Sequence, residues 1–103
     1  LNLHSTVVFA ASDFYALDFL RFLQTKGVRI PDDVQIIGFD DTAASRESLP
    51  TLTTVHQDAA QRAKTALTCL EAMRSGRDCE AQIVLPVTLI PRESTRKMPC
   101  RTL

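Results

Sequence analysis

Thr6-Val7-Val8-Phe9-Ala10-Ala11 is an unbroken apolar, β-branched run that ends abruptly at Ser12-Asp13. Such a run has the pattern of a strand buried on both faces, and a Ser followed by an acid is a strong helix start. From Asp13 to Lys26 there is neither Gly nor Pro, and Gly27 stands where a left-handed C-cap belongs. Val28 to Asp33, with Pro31, reads as a loop. Val34-Gln35-Ile36-Ile37-Gly38-Phe39 then reads as a second strand ending at Asp40-Asp41. Strand, crossover helix and strand in this order predict a mostly parallel sheet.

The pattern continues. Thr42 to Ser48 is a short helix or turn closed by Pro50, and Thr53-Thr54-Val55-His56-Gln57 is a short strand. Asp58 and Gln61 have capping-box spacing, and Ala63, Ala66, Leu67, Leu70 and Met73 recur at helical intervals until Gly76. This amphipathic helix is expected to lie on a sheet. Ile83 to Ile90 is strand-like, but Pro86 inside it and Pro91 after it confine it to an edge or a crossing segment. One domain is expected over residues 1–95, followed by a frayed tail over 96–103. In an open α/β sheet, ligands sit outside the carboxyl ends of the strands. Those ends are Ser12-Asp13, Asp40-Asp41 and Gln57-Asp58.

Charge narrows the function. With 12 Lys+Arg against 12 Asp+Glu in 103 residues, no basic excess is available to grip nucleic acid or an anionic membrane. No apolar run approaches the ~18 residues of a bilayer span, and no secretory leader is visible, so a cytoplasmic chain is expected. Cys69, Cys79 and Cys100 are odd in number and lack C-x-x-C spacing, which fits reduced thiols better than a disulfide frame. The chain opens on Leu1 rather than Met, as expected of a piece of a longer protein.

Asp40 and Asp41 are the most distinctive polar pair. A carboxylate there can accept from adjacent hydroxyls of a neutral ligand, or can cap the turn that begins at Thr42; spacing alone does not separate the two. Successive side chains diverge, so one acid can bind while the other caps. Gln57 offers a donor and an acceptor suited to a polyhydroxyl ligand, whereas Asp58 serves its own helix. Ser12 reads first as a cap and second as a ligand contact. His4 and His56 have no second group at metal spacing, and no Gly-rich phosphate loop accompanies the acids. Neither metal, cofactor nor enzymatic turnover is expected. On the first helix, Ala16, Leu17, Leu20 and Leu23 form one apolar stripe beside the aromatic Tyr15, Phe19 and Phe22. So wide a sector exceeds one sheet face. The aromatics are expected in the core, and part of the leucine stripe on a partner surface.

Thr6 to Asp13 as T-V-V-F-A-A-S-D, Gly27 to Val34 as G-V-R-I-P-D-D-V, and Ile37-Gly38-Phe39-Asp40-Asp41 occur in this order. Leu52-Thr53-Thr54-Val55-His56-Gln57, Leu85-Pro86 and Arg92-Glu93-Ser94 follow them. Together they resemble the C-terminal part of lactose-repressor (LacI/GalR) type transcription regulators, from about Thr6 to Thr95. The resemblance implies an incomplete C-terminal lobe of a periplasmic-binding-protein-like fold, an α/β lobe of three layers with a parallel sheet. It implies a small-molecule effector, a sugar first, bound with Asp40, Gln57, Ser12 and Asp13 at the pocket. The family's usual Asn before Asp13 is Ser12 here, which shortens or removes that contact. It also implies a homodimer with contacts around Leu17, Leu20, Arg21 and Ser48. A helix-turn-helix reader, a hinge helix and a first lobe would precede Leu1, and DNA would be bound there. A solute-binding lobe and a plain dimerisation module are the alternatives.

Overall fold

The structure, a computed structural model, describes residues 7–97. His4, Cys100 and the tail beyond Lys97 lie outside the described residues. The elements are β1 (Val7–Phe9), α1 (Asp13–Thr25), β2 (Gln35–Ile37), α2 (Ala43–Glu47), β3 (Thr54–Gln57), α3 (Ala59–Arg74) and β4 (Val87–Ile90). The chain divides into two compact units, Leu1–His56 with Thr88–Leu103, and Gln57–Val87.

In the first unit β1 and β2 pair in parallel, with Val8 opposite Ile36 and Phe9 opposite Ile37. Ile37 in turn bridges Thr53, again in parallel. The crossover between the two strands is α1. Ser12 caps it by accepting from the Phe14 N–H at 3.2 Å. Its far end closes as a Schellman motif: Gly27 has φ 76°, its N–H donates to Gln24 C=O, and the Val28 N–H donates to Leu23 C=O. β4 pairs with β3 and stops at Pro91, the edge position expected of it.

The core corrects two expectations. Ala16, Leu17, Leu20 and Leu23 of α1 are buried against Val34, Ile36 and Leu52, with Val8 and Ala10 packed alongside. Leu17 and Leu20 are therefore core residues and present no surface to a partner. Of the three aromatics expected in the core, Phe19 packs against it, whereas Tyr15 and Phe22 are 68% and 50% exposed, as is Phe14 at 71%. The reason is angular. One helix meets the sheet through a single stripe, and Tyr15 and Phe22, seven apart, lie on another side of the cylinder. Phe14 and Tyr15 meet edge-on at 5.7 Å, and Lys26 Nζ sits 5.6 Å from the Phe22 ring. Arg21 is exposed beside Asp18, and Ser48 is half-buried with its hydroxyl on Pro50 C=O.

The second correction concerns β1, which is packed on one face only. Val8 and Ile36 face α1, whereas Val7 and Phe9 are 47% and 59% exposed on the other side. Among the described residues of this unit only the α1 side of β1 is covered, so the apolar run marks a strand able to take a layer on each side.

In the second unit Asp58 Oδ1 accepts from the Gln61 N–H at 2.9 Å and caps α3 as expected. Gly76, at φ 74°, ends the helix through another Schellman closure, Gly76 N–H to Met73 C=O and Arg77 N–H to Ala72 C=O. No residue of α3 is buried, so its stripe of Leu67, Leu70 and Met73 finds no cover within its unit.

Candidate functional site

The strand ends of the first unit gather around Asp13. Its N–H donates to Phe39 C=O at 2.9 Å, so the start of α1 is tied to the end of β2. Its carboxylate is 1% exposed and fully engaged: Oδ1 accepts from Thr54 Oγ1 at 2.6 Å, and Oδ2 accepts from the Thr42 N–H at 2.7 Å and Thr42 Oγ1 at 2.9 Å. A buried carboxylate is tolerable only with such a donor set, and the first turn of a helix adds a favourable dipole. Asp13 is thus a strut between α1, the turn before α2 and the start of β3. The expectation that it contacts ligand is corrected, because burial and three donors leave it no face to offer. Gly38 is the counterpart: a Cβ there would run into Asp13 Oδ1 and lie 2.8 Å from Leu52 Cδ2.

The paired acids after β2 are separated by the backbone. Both have positive φ, 116° for Asp40 and 52° for Asp41, so the chain turns sharply between them. Such conformations cost about 1–3 kcal/mol each and persist where the surroundings enforce them. The enforcing bonds are the Asp40 N–H to Val55 C=O at 2.9 Å and the Asp41 N–H to Thr54 Oγ1 at 3.2 Å. Asp41 turns inward with its side chain 10% exposed. Oδ1 accepts from Arg92 Nη2 at 2.6 Å and from Arg46 Nη1 at 3.5 Å, and Oδ2 meets His56 Nδ1 at 3.0 Å. The Arg92 bond foremost, with His56 and the charge of Arg46, holds its carboxyl below the usual range against the opposing effect of burial. Asp40 turns outward and is exposed. The N-cap residue of α2 is Thr42, whose own N–H is held by Asp13.

Ser12 is half-buried and acts as the N-cap of α1, its first reading. Gln57 opens the second unit, where its Oε1 accepts from Arg62 Nη1 at 2.7 Å. His56, unassigned by sequence, is a partner of Asp41. Among the described residues no group of three His, Cys, Asp or Glu side chains is placed to hold a metal.

Arg92 was visible only as part of a motif, yet it organises the unit. Besides Asp41, its Nη1 donates to Ser45 Oγ at 2.8 Å and Leu52 C=O at 3.1 Å, and its N–H donates to Thr53 Oγ1 at 2.7 Å. Ser94, fully buried, donates through Oγ to Ile36 C=O at 2.6 Å and accepts from the Thr53 N–H at 2.8 Å. Glu93 accepts from the Thr51 N–H and Oγ1, bonds that lower its pKa. The available signal was the need of the buried acid for a cation, which sequence poses without supplying the partner. Arg96 is also held, its N–H donating to Gln35 Oε1 at 2.8 Å.

A 660 Å³ cavity lies elsewhere, lined by Val7, Gln35, Ile37 and Thr53 together with Leu89, Pro91 and several residues of the segment that follows. Val7, Gln35 and Ile37 share the sheet face turned away from α1. None of Ser12, Asp13 or Asp40 lines it. Its walls are mainly apolar, which marks the open sheet face rather than a polar ligand rim.

A parallel α/β lobe with carboxylates and hydroxyls at its strand ends is built as small-molecule-binding domains are. The chain belongs to the periplasmic binding protein-like domain family, which matches residues 2–95. It is 34% identical over 94 residues to the HTH-type transcriptional repressor PurR of Mannheimia succiniciproducens, covering 90% of this chain and 28% of that protein. It is 32% identical over 90 residues to the lactose operon repressor of Escherichia coli, covering 87% of this chain and 25% of that protein. Among solved structures, the lac repressor dimer bound to operator and the anti-inducer ONPF superposes with a TM-score of 0.80 at 32% identity, over 87% of this chain and 32% of that one. The chain spans about a quarter of the length of the curated relatives it matches. The resemblance to LacI/GalR-type regulators and the parallel α/β, periplasmic-binding-protein-like fold are borne out.

Proposed function

We propose that this chain is the C-terminal lobe of the effector-binding domain of a LacI/GalR-type transcriptional repressor that answers to a small molecule, a sugar first. The carrying observation is the place of Asp40, an exposed carboxylate just beyond the carboxyl end of β2, the rim at which open α/β sheets take their ligands. An ionised acid at such a rim accepts from two neighbouring hydroxyls, which suits a sugar ring. Ser12, with a hydroxyl hydrogen left to donate, and Gln57 are the further contacts of this reading.

The role is regulatory, not enzymatic, and the setting cytoplasmic; no helix of the described residues is long and apolar enough to cross a membrane. DNA is bound by another part of the parent protein. Effector binding shifts the population between operator-competent and operator-incompetent dimers. The exposed face of α1, with Phe14, Tyr15 and Phe22, supports a homodimer contact that Arg21 and Ser48 border, since aromatic residues are enriched in interface cores. The deciding experiment is effector titration of the complete regulator carrying an Asp40 substitution, with folding monitored in parallel.

A further inference from the structure

The Gln57–Val87 unit brings two thiols together. After the closure at Gly76 the chain turns back along α3. Cys69 lies about 7–8 Å of helical rise before Arg74, and Cys79 lies about 10 Å of extended chain beyond Gly76, so the returning segment draws level with it. Cys69 also lines a 310 Å³ cavity with Glu80, Ala81, Ile83 and Leu85, the stretch that directly follows Cys79. Both residues are half-buried free cysteines, and the Cys79 side chain is near enough to raise the pKa of the Cys69 thiol.

We propose that Cys69 and Cys79 are a reversible redox modification site, oxidised by a peroxide to a disulfide that latches the end of α3 to the return segment 77–85. The step balances. The thiolate of one cysteine attacks a peroxide oxygen, the O–O bond breaks, and water or an alcohol departs with a proton, leaving a sulfenic acid. The second thiol attacks that sulfur, the S–S bond forms and water leaves, so the sulfurs lose two electrons in all and the peroxide gains two. A dithiol reductant reverses it. Either thiol can make the first attack, the other then resolving the sulfenic acid. The consequence is local: α3 has no buried residue, and a short covalent loop limits the unravelling of its last turns.

The test uses the full chain with Cys100→Ser, treated with hydrogen peroxide, alkylated and digested with trypsin. Peptides 65–74 and 78–92 should appear joined, lighter by two hydrogens and separable by dithiothreitol. The link should form at least about tenfold faster in buffer than in urea, where only chain length sets the encounter. Cys69→Ser should accumulate dimedone-reactive sulfenic acid at Cys79. Unlinked sulfinic or sulfonic acids, or equal rates in buffer and urea, would overturn the proposal.

Discussion

Arg92 donates to Asp41 at 2.6 Å across 51 residues of chain, joining the turn after β2 to the segment that closes the unit. The same guanidinium reaches Ser45 and the Leu52 carbonyl, and the two charged side chains are 15% and 10% exposed. Removing one partner of so enclosed a pair leaves the other charge uncompensated. Arg92→Ala is expected to destabilise the protein by about 3–5 kcal/mol in urea unfolding. Arg92→Lys should recover only part of that, because an ammonium cannot serve three acceptors in the geometry of a fork. Full recovery by lysine would show that charge alone matters here.

The same pair sets an acid limit. The folded protein holds the Asp41 carboxyl below its usual value, so the unfolded chain takes up that proton first as pH falls. The stabilisation is therefore complete above the unfolded value near 4 and is lost as pH drops further through the folded value. Glu93 and Asp33 are shifted in the same direction and add to the slope. Melting temperature followed below about pH 4 should fall less steeply in Asp41→Asn than in the parent protein.

Gly38 has no room for a side chain. Alanine there would press on Asp13, which is fixed by three donors, and on Leu52 in the core. Overpacking of this kind costs about 1–3 kcal/mol. Gly38→Ala should lower stability by that amount in denaturant titration, whereas Gly27→Ala, with open space around it, should show only the smaller cost of its positive φ.

The two sides of α1 should behave as different materials. Leu17→Ala removes core contacts and is expected to cost about 3 kcal/mol without a direct effect on association. Tyr15→Glu with Phe22→Glu touches exposed side chains and should change monomer stability by about 0.5 kcal/mol or less. In sedimentation of the complete regulator, that double variant should shift from dimer to monomer. A dimer that persists would remove this face from the interface.

What sequence could read was local. Ser12, Gly27, Asp58 and Gly76 announce the helix ends because caps act within a few residues, and each is found where expected. The order of strands and helices followed from the same short-range signals. What it could not read depends on distant partners. Asp13 looked like a rim residue, but its donor Thr54 is 41 residues away, and the bond of Ser94 to Ile36 spans 58. Apolar pattern showed that α1 carries more hydrophobic surface than one sheet face takes, yet gave no means of ranking leucines against aromatics. Likewise, Asp40 and Asp41 are indistinguishable as letters; positive φ at both, and Arg92 waiting on one side, tell them apart.

The central claim is that Asp40, and not its neighbour, meets the effector. The direct measurement is calorimetry on the complete regulator with Asp40→Gly, using whichever sugar first raises the melting temperature in a screen. Glycine accepts the 116° φ of this position, so folding should be unharmed. Loss of a charge-assisted bond pair predicts effector binding about 10- to 100-fold weaker at an unchanged or higher melting temperature. Unchanged affinity in a stably folded Asp40→Gly protein would contradict the account.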